Sequence, residues 1–322
     1  MKRFLGRCML LIGITVGCLL LINSICINSN IYRNVLAQQG TLKFENVPEQ
    51  IKVANFGSSH GVRGFCYENT DVTAFNFALT AQSLTYDANI LHYYQNNMAE
   101  GAIVLIPVSF FSVYWDELKK GDFASQNSRY YTFLDKDHIR MYNAQYGFLT
   151  KFCWILTRFP DKIVSDLIHI RQEIVPTESS SSAARMGKKQ LEAQGLRTWK
   201  RHWTFVNHSK DYSCWAEENT AALVRMIDLC NDNGFIPVLV ITPFLDEYSR
   251  HYPGDFLDSF YDYAYEFSDE HKVLYLDYAF DERFRHSPGL FMNSDLNKDG
   301  ALKFTQIVME DLNKKMTSPY LK

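Results

Sequence analysis

Ile51-Lys52-Val53-Ala54-Asn55-Phe56-Gly57 runs apolar into a glycine, and Ser58-Ser59-His60-Gly61 breaks the run. A short apolar stretch bounded by turn-forming residues reads as a buried strand feeding a tight turn. A second such run, 75 to 80 (FNFALT), is followed by helical periodicity from 85 to 98, and a third, 102 to 109 (AIVLIPVS), lacks any alternation, as expected of a strand covered on both faces. Further on the pattern returns. A helix at 216 to 232 is stopped by Gly234, and a strand follows at 236 to 242 (IPVLVIT). A helix at 254 to 270, a strand at 272 to 277 (KVLYLD) and an amphipathic helix at 299 to 316 complete the chain. Strands alternating with helices predict an α/β fold of three layers, a parallel sheet covered on both faces, with any site at the carboxyl ends of the strands.

Between about 116 and 215 the alternation fails. This part is aromatic and rich in Arg and Lys, with FLTKFCWILTRF at 148 to 159 and a Ser179-Ser180-Ser181-Ser182 run expected to be a mobile loop. It reads as a mainly helical or irregular insertion. The whole chain has 322 residues and 47% hydrophobic content, enough for a sizeable core and unlike a disordered or fibrous protein. Its net charge of -3 leaves no electrostatic footprint for nucleic acid.

Cys8 to Ile27 (CMLLIGITVGCLLLINSICI) carries no charge. Twenty helical residues at about 1.5 Å each match a bilayer's hydrocarbon core. Lys2, Arg3 and Arg7 precede it and the next charge is Arg33, so the positive-inside bias places residues 1 to 7 in the cytoplasm and the rest outside. The expected organisation is a signal anchor at 8 to 27, a linker at 28 to 48 and an α/β domain at 49 to 322 that carries the insertion. The alternative is a cleaved signal peptide, with Val35-Leu36-Ala37 as the cleavage site and a secreted product. A lipoprotein reading at Cys18 is weaker, because the apolar run continues past it. Of the seven cysteines, Cys66, Cys153, Cys214 and Cys230 lie beyond the apolar segment, without CxxC or metal-ligand spacing. One or two disulfides would fit, but the core must hold the fold.

The strand ends carry the polar residues that chemistry would need: Ser58 and Ser59 after the first, Ala81 and Gln82 after the second, Ser109 after the third, Thr242 and Pro243 after a later one. A serine on a sharp strand-to-helix turn exposes its hydroxyl while nearby backbone N–H groups stabilise an oxyanion, the layout of a hydrolase or acyltransferase. The plainer alternative is that Ser58 or Ser59 caps the following helix.

Gly57-Ser58-Ser59-His60 resembles the nucleophile block of SGNH/GDSL-type hydrolases, with Ser59 at the nucleophile position. Asn76 to Ser83 is similar to that family's second block, whose oxyanion-hole glycine falls on Ala81. Ile106-Pro107-Val108-Ser109 occupies the third, with Ser109 in place of the usual Asn. Asn293-Ser294-Asp295-Leu296-Asn297-Lys298-Asp299-Gly300-Ala301 looks like the last block, but no histidine stands in it, and Asp295 falls on that position when the block is aligned on Leu296-Asn297. The resemblance covers roughly 50 to 110 and 216 to 316. It implies a flavodoxin-like sheet, Ser59 and Asp295 as catalytic groups, Ala81, Ser109, Ser58 and Asn297 around the oxyanion and substrate, and no cofactor. An ordinary aspartate is a weak base for a serine hydroxyl. His286, six residues before Met292, is the candidate substitute, whereas His60 is expected to point away from Ser59.

Asp295-Leu296-Asn297-Lys298-Asp299-Gly300 also fits the opening of a calcium loop, although its twelfth position is Gln306 and no clear helix enters it. Phe110 to Trp115, Trp199, Trp203 and Trp215 suit either a sugar-binding surface or a core. Asn207-His208-Ser209 is a formal glycosylation sequon. By resemblance to membrane-anchored SGNH-type proteins of lipoteichoic-acid D-alanylation and polysaccharide O-acetylation, the expected function is transfer or removal of an acyl group on a cell-envelope glycan, with a membrane acyltransferase as a candidate partner. The alternatives are a non-catalytic descendant that binds such a polymer or partner, and an extracytoplasmic sugar-binding module.

Overall fold

The computed structural model describes residues 1–115, 127–158, 183–206 and 215–316. The Ser179–Ser182 run, the Asn207 sequon and Cys214 lie outside them. Along the chain run α1 (Lys2–Ile27), α2 (Asn30–Gln39), β1 (Ile51–Asn55), α3 (Ser59–Gly64), β2 (Ala74–Asn76), α4 (Leu84–Tyr94), β3 (Met98–Pro107) and α5 (Ala144–Phe152). They are followed by α6 (Lys188–Val206), α7 (Glu217–Asp232), β4 (Ile236–Ile241), α8 (Gly254–Glu270), β5 (Leu274–Asp277), β6 (Phe291–Met292), β7 (Asp295–Leu296) and α9 (Lys298–Met316). Two compact units result, Met1–Asn46 with Asp122–Pro176, and Val47–Gly121 with Thr177–Lys322.

In the first unit, α1 is long and apolar enough to cross a membrane by length and composition, and its apolar side chains are exposed. Asn23, a polar residue within that helix, is buried, and its Oδ1 accepts the Trp154 N–H at 2.6 Å. Trp154 opens a single helical turn, Trp154–Thr157, and its ring meets Tyr32 edge-on at 4.8 Å. Asn143 caps α5 by accepting the Tyr146 N–H, the usual role of an Asn at that position. Phe44 stacks on Phe133 at 3.9 Å.

The second unit is an α/β fold. Five parallel strands stand in the order β2-β1-β3-β4-β5 with helices on both faces. Val53 pairs with Ile103, Leu105 with Val238 and Val240 with Leu276, a register that aligns their side chains on one face. Against that face α9 sets Phe304, Ile307, Val308 and Leu312. Helix α7 packs on β4 and against α4 with Leu223, Met226 and Ile227 buried. The lack of alternation in 102 to 109 follows from this double cover. Strand β3 starts earlier and ends sooner than expected, at Met98 and Pro107, and α4 stops at Tyr94 because Gln95–Asn97 tighten into a 3-10 turn. The FNFALT run forms a strand only as far as Asn76, whose side chain takes the Ala78 N–H and bends the chain away. The helix α6, toward the far end of the expected insertion, belongs with the sheet unit.

Several aromatics of the sequence are core. Phe110, Tyr114 and Trp215 are buried, Phe110 against Phe260 at 5.0 Å and Trp215 against Phe267 at 5.3 Å. Cys66, Cys153 and Cys230 are free thiols, and burial pushes the Cys230 thiol up to about 12.

Candidate functional site

In the order 2-1-3-4-5 the direction of winding reverses between β1 and β3, and in open parallel sheets ligands bind outside the carboxyl ends of the strands at such a switch point. The first turn of α3 sits there. Gly57 adopts φ +104, a conformation glycine reaches without strain, and a side chain there would press on Pro107 at 3.2 Å. Its N–H donates to Asp87 Oδ1 at 2.8 Å. Ser58 then occupies the helix N-cap with no side-chain cap bond, and Ser59 is the first helical residue. Both are half-buried, and Ser59 Oγ makes no hydrogen bond to any described residue. The capping alternative for these serines is therefore not how their hydroxyls are used.

Two asparagines hold this turn. Asn55 Nδ2 donates to the Gly61 carbonyl at 3.0 Å and to Asn76 Oδ1 at 3.1 Å. Asn76 Nδ2 reaches the carbonyls of Gly61, Val62 and Phe65, and Tyr67 Oη donates to Asn55 Oδ1. Buried backbone carbonyls near a helix end need such donors. An Asn closing a buried strand at 55 was the available signal, since asparagine is depleted in strands. Gly61 lies so close to the strand end that a Cβ would meet the Phe56 carbonyl oxygen at 2.1 Å.

The short hairpin β6–β7, absent from the sequence reading, packs β7 on α3. Its two-residue turn begins at Asn293 with φ +63. Asp295 thereby comes to His60, its Oδ1 lying 3.6 Å from Nε2, while its Oδ2 lies 3.6 Å from Arg63 Nε. His60 is 4% exposed, and its Nε2 has no hydrogen-bond partner among the described residues. Its Nδ1 is 3.4 Å from Thr242 Oγ1. The ring is enclosed by Phe111, Phe244 and His202, at 5.4, 5.4 and 6.2 Å. Burial lowers the proton affinity of His60, partly opposed by Asp295 and reinforced by Arg201. His202 in turn stacks on Phe111 at 3.9 Å and bonds through Nδ1 to Tyr248 Oη at 2.8 Å, which meets Tyr252 Oη at 2.6 Å. This buried polar chain had no spacing signal in the sequence.

The remaining expected site residues are placed as follows. Ala81 holds a left-handed φ of +54 in the turn after β2, the conformation a glycine adopts at least cost. Ser109 follows β3, is buried, and its Oγ accepts the Ser112 N–H at 3.2 Å. Asn297 caps α9, its Oδ1 accepting the Gly300 N–H at 3.0 Å while its Nδ2 donates to the Gly289 carbonyl. That role, and the pairing of Asp295 with Arg63, uses the side chains that would open the calcium loop. His286 is 61% exposed and pairs with Glu282 on the surface, and no contact joins it to Ser59, His60 or Asp295. A groove of about 500 Å³ lies apart from these residues, between 66–72 and α9, lined by Cys66, Asp71, Lys303 and Glu310 among others.

No family model and no curated protein matches the chain. Among solved structures it is similar to one described as a "putative acylhydrolase" from Bacteroides fragilis, at 10% identity and a TM-score of 0.37, over 87% of this chain and 95% of that one.

Proposed function

We propose that the α/β unit is a serine acyl-transfer enzyme, an extracytoplasmic esterase or O-acyltransferase acting on acyl groups of a cell-envelope polysaccharide or glycopolymer. In this reading residues 8 to 27 anchor it, residues 1 to 7 stay in the cytoplasm, and residues 49 to 322 face outward. The observation that supports it is the half-exposed Ser59 in the first turn of α3, at the carboxyl end of β1 where the strand order reverses.

Ser59 Oγ attacks the acyl carbonyl carbon and its proton passes to a base, the role that the resemblance assigns to Asp295. The carbonyl oxygen becomes an oxyanion facing the backbone N–H groups near Ser59 and Ala81 and the Ser109 hydroxyl, donors whose value lies in being preorganised. Collapse restores the carbonyl and expels the alcohol, which takes the proton from Asp295. Water or a glycan hydroxyl then attacks the acyl-serine in the same way, its proton passing through Asp295 to Ser59 Oγ.

A second reading has its own support. Ser59 Oγ bonds to no described base, and the nearby imidazole of His60 faces Asp295. A non-catalytic descendant that binds an envelope polymer or a membrane acyltransferase would look the same. Labelling of the full-length protein with a fluorophosphonate separates the two. Labelling that disappears in Ser59→Ala establishes a competent nucleophile; a folded wild-type protein that takes no label favours the binding role.

A further inference from the structure

Among the described residues beyond α1, the exposed large apolar side chains gather in one stretch. Met141, Tyr142, Phe148, Phe152 and Leu156 are 72%, 39%, 58%, 39% and 43% exposed, and Tyr265 alone lies elsewhere. Helix α5 buries none of its residues although its sequence is AQYGFLTKF. Phe148 and Phe152, one turn apart on α5 with their rings 5.0 Å apart, form an exposed apolar stripe, and Leu156 adds a further exposed apolar side chain from the separate turn 154–157 beyond Cys153. The charges of this stretch are Lys151 and Arg158, both positive. An apolar stripe with aromatics and flanking cations, unburied by its own protein, is the composition of a helix lying in the plane of a membrane interface.

What fixes the occupant is where the stretch is attached. Its Trp154 N–H and Lys151 carbonyl bond the Asn23 side chain, and Asn23 stands four residues before α1 ends at Ile27. Four residues of helix rise about 6 Å, so the stripe meets α1 near the level at which a spanning helix leaves the hydrocarbon. We infer that residues 141–158 lie in the lipid interface at that end of α1, with Phe148, Phe152 and Leu156 among the upper acyl chains and Lys151 and Arg158 toward the phosphates. This rests on the reading of α1 as a spanning helix.

The test uses the full chain in liposomes of phosphatidylethanolamine and phosphatidylglycerol that contain a diazirine-bearing lipid, with cross-linked peptides mapped by mass spectrometry. Labelling of both α1 and 141–158 is expected. In a Phe148→Ser, Phe152→Ser, Leu156→Ser variant the 141–158 label should fall by at least about fivefold, with the α1 label unchanged, because the stripe supplies the apolar area that holds the segment in the interface. These side chains are exposed, so the fold should persist, as circular dichroism would check. Label on α1 but none on 141–158 overturns the inference alone. Absence of label on α1, with release of the protein by alkaline carbonate, overturns the spanning reading and the inference with it.

Discussion

His60 Nε2 faces Asp295 Oδ1 across 3.6 Å inside an aromatic enclosure, so that the residue after Ser59 in the chain meets a residue from its other end. The imidazole is buried where a cation would be poorly solvated, and the Asp295 carboxylate stands just beyond hydrogen-bond reach of it.

Burial holds the proton affinity of folded His60 below the ordinary histidine value of 6.5, so the unfolded state takes the proton first. Stability is then complete above about pH 6.5 and is lost as pH falls below it toward the folded value. Urea denaturation across this range should show that decline in the wild type and a shallower one in His60→Gln. Equal slopes would mean that His60 is protonated alike in both states.

Asn76→Ala removes the donor to three carbonyls of the Gly61–Phe65 segment and the acceptor for the Ala78 N–H. Stranding partly buried backbone groups costs on the order of 1–3 kcal/mol. A loss of about 2–3 kcal/mol in denaturant unfolding is expected, together with weaker fluorophosphonate labelling of Ser59, because the turn that presents it is no longer held. Unchanged stability would show that water satisfies these carbonyls equally well.

Ala81→Gly should act in the opposite direction. A non-glycine residue in the left-handed region is strained by about 1–2 kcal/mol, and the greater freedom of glycine in the unfolded chain returns about half of that. Stability should rise by roughly 0.5–1 kcal/mol. Any acyl-transfer activity should survive, because the backbone N–H that the site would use is unaltered. A lower melting temperature would indicate that the Ala81 methyl packs favourably.

The sheet was legible because covered parallel strands leave an unmistakable pattern: IPVLVIT at 236 to 242 became β4, and the helix read at 254 to 270 is α8 with those same ends. The site was legible only in part. Gly57 and Ser59 lie on the turn that their order suggested, since a glycine after an apolar run announces a positive φ. The pairing of His60 with Asp295 was not legible, because it depends on the two-residue strands β6 and β7, too short to show any periodicity. Nor was the use of Asn297 as a helix cap separable from its place in a calcium-loop pattern, since one side-chain oxygen suits either purpose.

Strand β3 ends at Pro107, and its neighbour β4 does not begin until Ile236. A chain made from its N-terminus therefore finishes β1, β2 and β3 long before the strand that covers the open side of β3 exists. During that interval a long apolar edge is available to any other extended chain, the situation that promotes misassembly. Closing so large a loop is also slow compared with forming the local turns. Biogenesis, more than final stability, is where this architecture is vulnerable: substitutions near residues 98 to 107 should lower the yield of folded protein before they measurably lower its melting temperature.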